Sequence, residues 1–119
     1  DTFGHAAGDI ILRHFTGILK QNIRSEDIAS RFGGDEFTVV FPNVLREKAF
    51  QIAERIRNTV AAKEVRLNSD QKILYSISIG IADSSDENLD FDEILERADQ
   101  ALYKAKNKSR NCTVVSSAT

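Results

Sequence analysis

Apolar residues recur every three or four positions in three stretches of the chain, which is the spacing of an amphipathic helix. The first stretch follows Asp9, the second runs from Arg46 to Ala62, and the third starts at Asp90 or Asp92. Asp9 is predicted to cap the first helix, after a glycine-rich loop over residues 1–8. The inward-facing positions are expected to be Ile11, Phe15, Ile18 and Leu19, then Phe50, Ala53, Ile56 and Val60, then Ile94, Leu95, Ala98, Leu102 and Ala105.

Alternating apolar residues over Lys72 to Ala82 predict a strand. Asp27 to Phe32 and Glu36 to Phe41 are shorter strand candidates, and the Gly33-Gly34-Asp35 between them predicts a hairpin. A closing strand is expected over Asn111 to Ser116. The order is then α-β-β-α-β-α-β. One further strand in front would make the first six elements an α+β, ferredoxin-like sandwich of palm type, whose antiparallel sheet has that first strand at its centre.

Length and composition narrow the classes of function. The 119 residues suit one domain over positions 1–119, incomplete at its N-terminus if the central strand precedes residue 1. The net charge of −2 lacks the basic excess typical of a nucleic-acid binder. The single cysteine, Cys112, excludes an internal disulfide and favours a cytoplasmic setting. Because no apolar run approaches the roughly 20 residues that span a bilayer, we expect this domain to make no membrane contact, although a parent protein could be anchored elsewhere.

The expected hairpin tip carries the most suggestive chemistry. Gly33 and Gly34 allow positive φ, so a ligand can approach their backbone, and their amides can face phosphate oxygens. Asp35 and Glu36 point to opposite sides of the strand, so one of them can hold Mg²⁺ while the other acts separately. On spacing alone, a plain Gly-Gly hairpin with solvated acids is an equally good interpretation.

Five blocks in a fixed order cover the chain. They are DTFGHAAGD from Asp1 to Asp9, RFGGDEF from Arg31 to Phe37, SISIGIA from Ser76 to Ala82, ADQALYKAK from Ala98 to Lys106, and Arg110-Asn111. Together they resemble the GGDEF domain family, the catalytic module of bacterial diguanylate cyclases. The resemblance implies condensation of two GTP into cyclic di-GMP with release of pyrophosphate. It also implies a homodimer, because each domain holds one GTP, and control by an upstream sensory domain.

The resemblance assigns roles to matching residues. Asp35 would be a ligand of Mg²⁺ or Mn²⁺, and Glu36 its acidic neighbour near the reacting hydroxyl; both are expected to be catalytic. Gly33 and Gly34 would line the ribose and α-phosphate of the substrate, while Asp9 would contact the guanine edge.

Lys106 and Arg110 would hold the β- and γ-phosphates. Without the resemblance, two solvated cations near a helix C-terminus would be the preferred interpretation, because the helix dipole favours them there.

Arg24 and Asp27 form an R-x-x-D motif that ends shortly before Gly33. This offset is similar to that of the family's inhibitory site, where the product cyclic di-GMP docks. An arginine fork can bind phosphate or stack on guanine, and an aspartate can accept from the guanine edge. The alternative is a surface arginine and aspartate after a helix end.

The family pattern also contains elements that are absent from this sequence. They are a first strand with a second metal-binding carboxylate, and an asparagine just before Asp1 that contacts guanine. We therefore expect this chain by itself to be weak or inactive. Ser109 replaces a usual glycine, which predicts mild strain if that position needs positive φ. The alternative function is a non-catalytic GGDEF-type module that senses GTP or cyclic di-GMP.

Overall fold

The computed structural model describes residues 4–33, 36–84 and 89–116. Within these ranges it contains helices α1 (Gly4–Asn22), α2 (Arg46–Ala62) and α3 (Phe91–Lys108). The strands are β1 (Ile28–Gly33), β2 (Glu36–Val40), β3 (Val65–Arg66), β4 (Lys72–Ile73), β5 (Ile79–Ile81) and β6 (Thr113–Val115). The predicted α+β class is confirmed, and α2 has the predicted ends. Among the described residues, no helix combines the length and hydropathy that crossing a membrane requires.

The strands form three two-stranded sheets in the described part of the chain. β1 and β2 are the predicted antiparallel hairpin, with Ile28 opposite Val40 and Arg31 opposite Phe37. The register shifts by one residue between Arg31 and Gly33, so a bulge lies next to the tip. β3 pairs with β4 in antiparallel fashion, whereas β5 and β6 are parallel. A parallel pair needs a crossover connection, and α3 provides it.

The prediction of one continuous strand over residues 72–82 is wrong. β4 ends at Ile73, β5 begins at Ile79, and residues 74–78 join no strand ladder. The alternation nevertheless holds, because Tyr75 and Ile77 pack against the core while Leu74 is 58% exposed. Alternating apolar residues determine which face is buried, whereas a ladder also needs a neighbouring backbone.

The core lies between α1, α2 and the inner face of the strands. Its buried centre consists of Ile18, Leu19, Ile52, Ile56 and Val60, and the half-buried Phe15, Ile23, Val39, Phe41, Tyr75 and Ile77 pack around it. The prediction that Phe50 faces inward is wrong, because Phe50 is 39% exposed. Ile52, Ile56 and Val60 are spaced four apart and form one row along α2, so the buried stripe is displaced from Phe50.

Two helix starts differ in how well local sequence predicts them. α3 begins after Asp90, whose carboxylate accepts from the Glu93 N–H while the Glu93 side chain accepts from the Asp90 N–H, so Asp90 is the cap. α1 instead begins at Gly4, so the expected loop is wrong for residues 4–8 and Asp9 lies inside the helix rather than at its cap. Burial of Ala7, which is 6% exposed, favours helix here despite the nearby glycines.

α3 lies unusually close to β5 at Gly80. A Cβ at this position would collide with the carbonyl oxygen of Ala98 and the backbone nitrogen of Leu102. Only glycine therefore permits this approach of helix to strand.

Candidate functional site

An acid and a cation predicted to act together do meet at the surface. The Nζ of Lys106, in the last turn of α3, lies 3.8 Å from the Oε2 of Glu36, the first residue of β2. Their side chains are 38% and 53% exposed, respectively. Such a pair contributes at most about 1 kcal/mol to folding, so a ligand can separate the two groups at little cost.

Apolar neighbours hold both charged residues in place. Phe37, next to Glu36, stacks at an angle on Phe15 of α1, with ring centroids 5.0 Å apart. Ala101 and Ala105, on the buried side of α3, fix the helix turn that carries Lys106. The Glu36 and Lys106 backbones are therefore set by packing, and the ion pair follows from that placement.

Arg110 lies just beyond α3, where the helix dipole favours a cation. Its backbone N–H donates to the carbonyl oxygen of Ala105 at 3.0 Å. Its guanidinium forms no hydrogen bond or ion pair with the described residues. Ser109 has φ −153°, so the strain expected there is absent; positive φ occurs instead at Arg110 (53°) and Asn111 (44°).

Other predicted site residues are not brought into this contact. Gly34 and Asp35 lie outside the described residues, so the metal-ligand role of Asp35 stays a prediction, and Gly33 is described only as the end of β1. Asp9 is exposed on α1, and within the described ranges no hydrogen bond or ion pair links it to Glu36 or Lys106. The same ranges hold no group of three His, Cys, Asp or Glu side chains able to share a metal ion.

Arg24 and Asp27 form a tight pair at the other end of the hairpin. Arg24 Nη2 donates to Asp27 Oδ1 at 2.7 Å, and the Arg24 backbone N–H donates to Oδ2 at 2.6 Å. The Asp27 side chain is 1% exposed, whereas that of Arg24 is 44% exposed. Hydrogen bonds from Arg24 lower the pKa of the Asp27 carboxyl. Asp27 is thus a buried anchor, and Arg24 is the member of the pair that faces solvent.

The Arg24–Asp27 pair is tied to both strands of the hairpin. Asp27 immediately precedes β1, and Arg24 Nη2 also donates to the carbonyl oxygen of Pro42, just after β2, at 2.9 Å. Five residue steps separate Ile28 from Gly33, or about 17 Å at the usual strand rise. The inhibitory candidate and the Glu36–Lys106 pair therefore lie at opposite ends of the β1–β2 hairpin.

Sequence reasoning missed a third charged cluster, between α2 and the residues after α3. Glu54 accepts from Arg57 at 2.7 and 2.8 Å and from the Thr113 hydroxyl at 2.7 Å. These bonds lower the pKa of Glu54 to about 2, chiefly through Arg57. The Glu-x-x-Arg spacing on a helix was the available signal for the pair, but nothing local points to Thr113.

The family described as "Diguanylate cyclase, GGDEF domain" matches residues 1–112. Diguanylate cyclase A of Treponema denticola is 41% identical over 116 residues, which is 98% of this chain and 31% of that protein. The chain thus spans about a third of the length of this curated relative.

Solved structures share the fold along nearly the whole chain. The active GGEEF domain of a diguanylate cyclase from Vibrio cholerae aligns with a TM-score of 0.81 and 31% identity, covering 100% of this chain and 74% of that one. The GGDEF domain of DgcB from Caulobacter crescentus, in complex with c-di-GMP, aligns with a TM-score of 0.83 and 26% identity, covering 98% and 68%. With the family match over residues 1–112 and the pairing of Glu36 with Lys106, these likenesses lead to one conclusion: the chain belongs to the GGDEF domain family of diguanylate cyclases.

Proposed function

We propose that this domain binds GTP and, as a homodimer, condenses two GTP molecules into cyclic di-GMP and pyrophosphate. The observation that carries the proposal is the 3.8 Å approach of Glu36 to Lys106, where Glu36 pairs with Gly33 at the end of β1. An exposed carboxylate next to an exposed cation suits a nucleoside triphosphate, because the reaction of such a ligand needs both charge neutralisation and proton transfer.

The reaction forms a bond between the 3′-oxygen of one GTP and the α-phosphorus of the other. The bond between that phosphorus and the oxygen that bridges the α- and β-phosphates breaks, and pyrophosphate leaves. A second, equivalent transfer between the same two nucleotides closes the ring. Lys106 and Arg110 neutralise the β- and γ-phosphates as the leaving group gains charge. Glu36 is proposed to accept the proton of the attacking hydroxyl.

A hard cation suits the acidic tip. The Glu36 carboxylate is an exposed oxygen donor of the type that Mg²⁺ and Mn²⁺ prefer, and Asp35 is the neighbouring candidate ligand. When bound, the metal supplies charge that polarises the phosphate and acidifies the attacking hydroxyl. Within this chain, the role of Glu36 and Lys106 is to orient the nucleotide and balance its charge.

Two copies of the domain must face each other during the reaction. Each copy presents one Glu36–Lys106 pair, and each GTP must both donate its 3′-hydroxyl and receive attack at its α-phosphorus. A homodimer satisfies this requirement and makes positioning of the two domains the controlling variable. We propose that an upstream sensory domain of the full-length protein sets this geometry, and that the reaction takes place in the cytoplasm.

Arg24 is proposed to bind the product and inhibit the enzyme. Its side chain is half-exposed, and Asp27 fixes its guanidinium from the buried side. An oriented guanidinium can take a phosphate or stack on guanine. The relative crystallised with c-di-GMP shows that a domain of this fold binds that dinucleotide.

The direct test is to incubate the purified full-length protein with GTP and Mg²⁺, and to measure cyclic di-GMP by chromatography and pyrophosphate by a coupled assay. We expect one cyclic di-GMP and two pyrophosphates for each two GTP consumed, and no product from ATP. A folded dimer that binds cyclic di-GMP yet forms none from GTP would overturn the enzymatic proposal in favour of a sensor.

A further inference from the structure

The two residues that follow Ser109 adopt backbone angles that side chains disfavour. Arg110 has φ 53° and Asn111 has φ 44°, so two consecutive residues other than glycine are left-handed. Asparagine tolerates this region better than most residues, but arginine has no local means of stabilising it. Contacts from elsewhere in the fold must therefore hold the turn.

Arg57 of α2 provides such contacts. Its Nη1 donates to the main-chain oxygen of Asn111 at 3.1 Å and to the Asn111 Oδ1 at 3.1 Å. Its side chain is 16% exposed, whereas Asn111 is exposed, so the Arg57 side chain extends from α2 to a turn at the surface. Arg57 thus reaches the residue directly after Arg110 from a different helix.

Glu54 fixes the direction of the Arg57 guanidinium. The Arg57 Nε and Nη2 groups donate to the two oxygens of Glu54 at 2.8 and 2.7 Å, which leaves Nη1 pointing at Asn111. Glu54 is itself held by the Thr113 hydroxyl at 2.7 Å, in β6. The chain from 111 to 113 is therefore bound at two points by one planar, bidentate ion pair.

We propose that Arg57 is a positioning residue for the substrate triphosphate: through Asn111 it holds Arg110 in the one backbone conformation that directs the guanidinium to the β- and γ-phosphates. The inference rests on the proposed function, since it needs Arg110 to contact the nucleotide. Arg57 itself does not touch the substrate. Its effect passes through the turn, so it depends on the Arg110 side chain being present.

The test is a double-mutant cycle of Arg57→Lys with Arg110→Ala in the full-length protein. Binding of 3′-deoxy-GTP, which lacks the reacting hydroxyl, is measured by calorimetry with Mg²⁺, and GMP serves as a probe without β- and γ-phosphates. Lysine keeps the positive charge but loses the planar fork. We expect Arg57→Lys to weaken 3′-deoxy-GTP about tenfold, to change GMP binding less than about twofold, and to have no further effect once Arg110 is alanine.

Additive losses in the cycle, or equal losses for GMP and 3′-deoxy-GTP, would overturn the inference, because a general loss of structure acts on all ligands. Asn111→Ala removes the same side-chain bond without altering α2, and must give the same pattern if Arg57→Lys does not fold. Arg55→Lys is the matched control, since Arg55 also lies on α2 but bonds to Asn22. If the wild type does not bind 3′-deoxy-GTP, the proposed function is overturned as well. If the wild type and Arg57→Lys bind 3′-deoxy-GTP equally well, only this inference is overturned.

Discussion

The β1–β2 hairpin carries an acid–cation pair at each end, and the two pairs differ in distance, burial and bonding. At the tip, Glu36 and Lys106 are 3.8 Å apart and both exposed. At the base, Asp27 is buried and accepts three kinds of N–H from Arg24, the shortest at 2.6 Å. Packing of neighbouring residues holds the Glu36–Lys106 pair in place, whereas the Arg24–Asp27 pair itself helps to hold the two ends of the hairpin together.

An acid and a cation can therefore serve different purposes at the two ends of the hairpin. A loose surface pair gives little folding energy, so a ligand with phosphates and metal can replace it. A pair whose carboxylate is buried and accepts several hydrogen bonds costs more to break, so it orients the exposed arginine rather than opening to receive a ligand. The two ends therefore match the roles proposed above, with substrate at the tip and product at Arg24.

The largest expected effect comes from removing the tip carboxylate. Glu36→Gln should lower the rate of cyclic di-GMP formation by at least about 100-fold, because proton transfer and metal binding both need the charge. The free energy of unfolding should change by less than about 0.5 kcal/mol, since the side chain is exposed. Glu64→Gln, another exposed glutamate, is the control. A similar rate in both variants would mean that the tip pair is structural.

The base pair should show the opposite behaviour. Asp27→Asn should destabilise the domain by about 2 kcal/mol, because the buried side chain loses its charge-assisted bonds to Arg24. Urea unfolding measures the loss, and the initial cyclase rate at low product should stay within about threefold. Glu26→Gln serves as control, because Glu26 contacts Arg24 only at the surface, at 3.3 Å. Equal stability of the two variants would contradict the contrast drawn here.

Acid should destabilise the domain chiefly through the carboxylates whose pKa is lowered by hydrogen bonds in the folded state. The folded-state pKa of Asp27 is lowered, and that of Glu54 is lowered from 4.5 to about 2. The unfolded chain therefore binds more protons in this range, so stability is present above pH 4.5 and is lost as pH falls toward 2. We expect the free energy of unfolding to fall by about 1 kcal/mol or more over this pH range. The fall should be smaller in Asp27→Asn, which lacks one of these carboxylates, and the same as in the wild type in Glu36→Gln. Urea midpoints at pH 5, about 3.5 and about 2.5 test this order.

The smallest expected effect is that of the tip cation on stability. Lys106→Gln should change the unfolding free energy by less than about 0.3 kcal/mol, and the difference should vanish at about 0.5 M salt, because an exposed pair is screened. Lys104→Gln, on the same helix, is the matched control. A loss above about 1 kcal/mol specific to Lys106 would show that the tip pair is not readily opened.

The sequence predicted those helix ends and turns that depend on residues close together in the chain. The ends of α2 and the β1–β2 hairpin follow from periodicity and from residues that act on their own neighbours, and the cap at Asp90 is one of the two helix starts that the sequence allowed. The pairing of Glu36 with Lys106 could be anticipated only through the family resemblance, because 70 positions separate them in the sequence.

The remaining differences arise from tertiary contacts. Residues 74–78 alternate as a strand does, but a ladder depends on a neighbouring backbone that alternation cannot reveal. Phe50 is apolar and lies near the helical stripe, yet the row from Ile52 to Val60 is the one that fits the core. The hydrogen bonds of Arg57 to Asn111 join positions that no local rule relates.

Gly80 has a consequence for recognising working members of this family. Lys106 is carried by α3, and the spacing between α3 and the strands is limited where Ala98 and Leu102 meet Gly80. A methyl group there would force the helix outward and move the lysine with it, while leaving every charged residue of the domain in the sequence. A sequence could thus retain all its acidic and basic signature positions and still present them too far apart, so the residue at position 80 should be weighed together with them when activity is inferred from sequence.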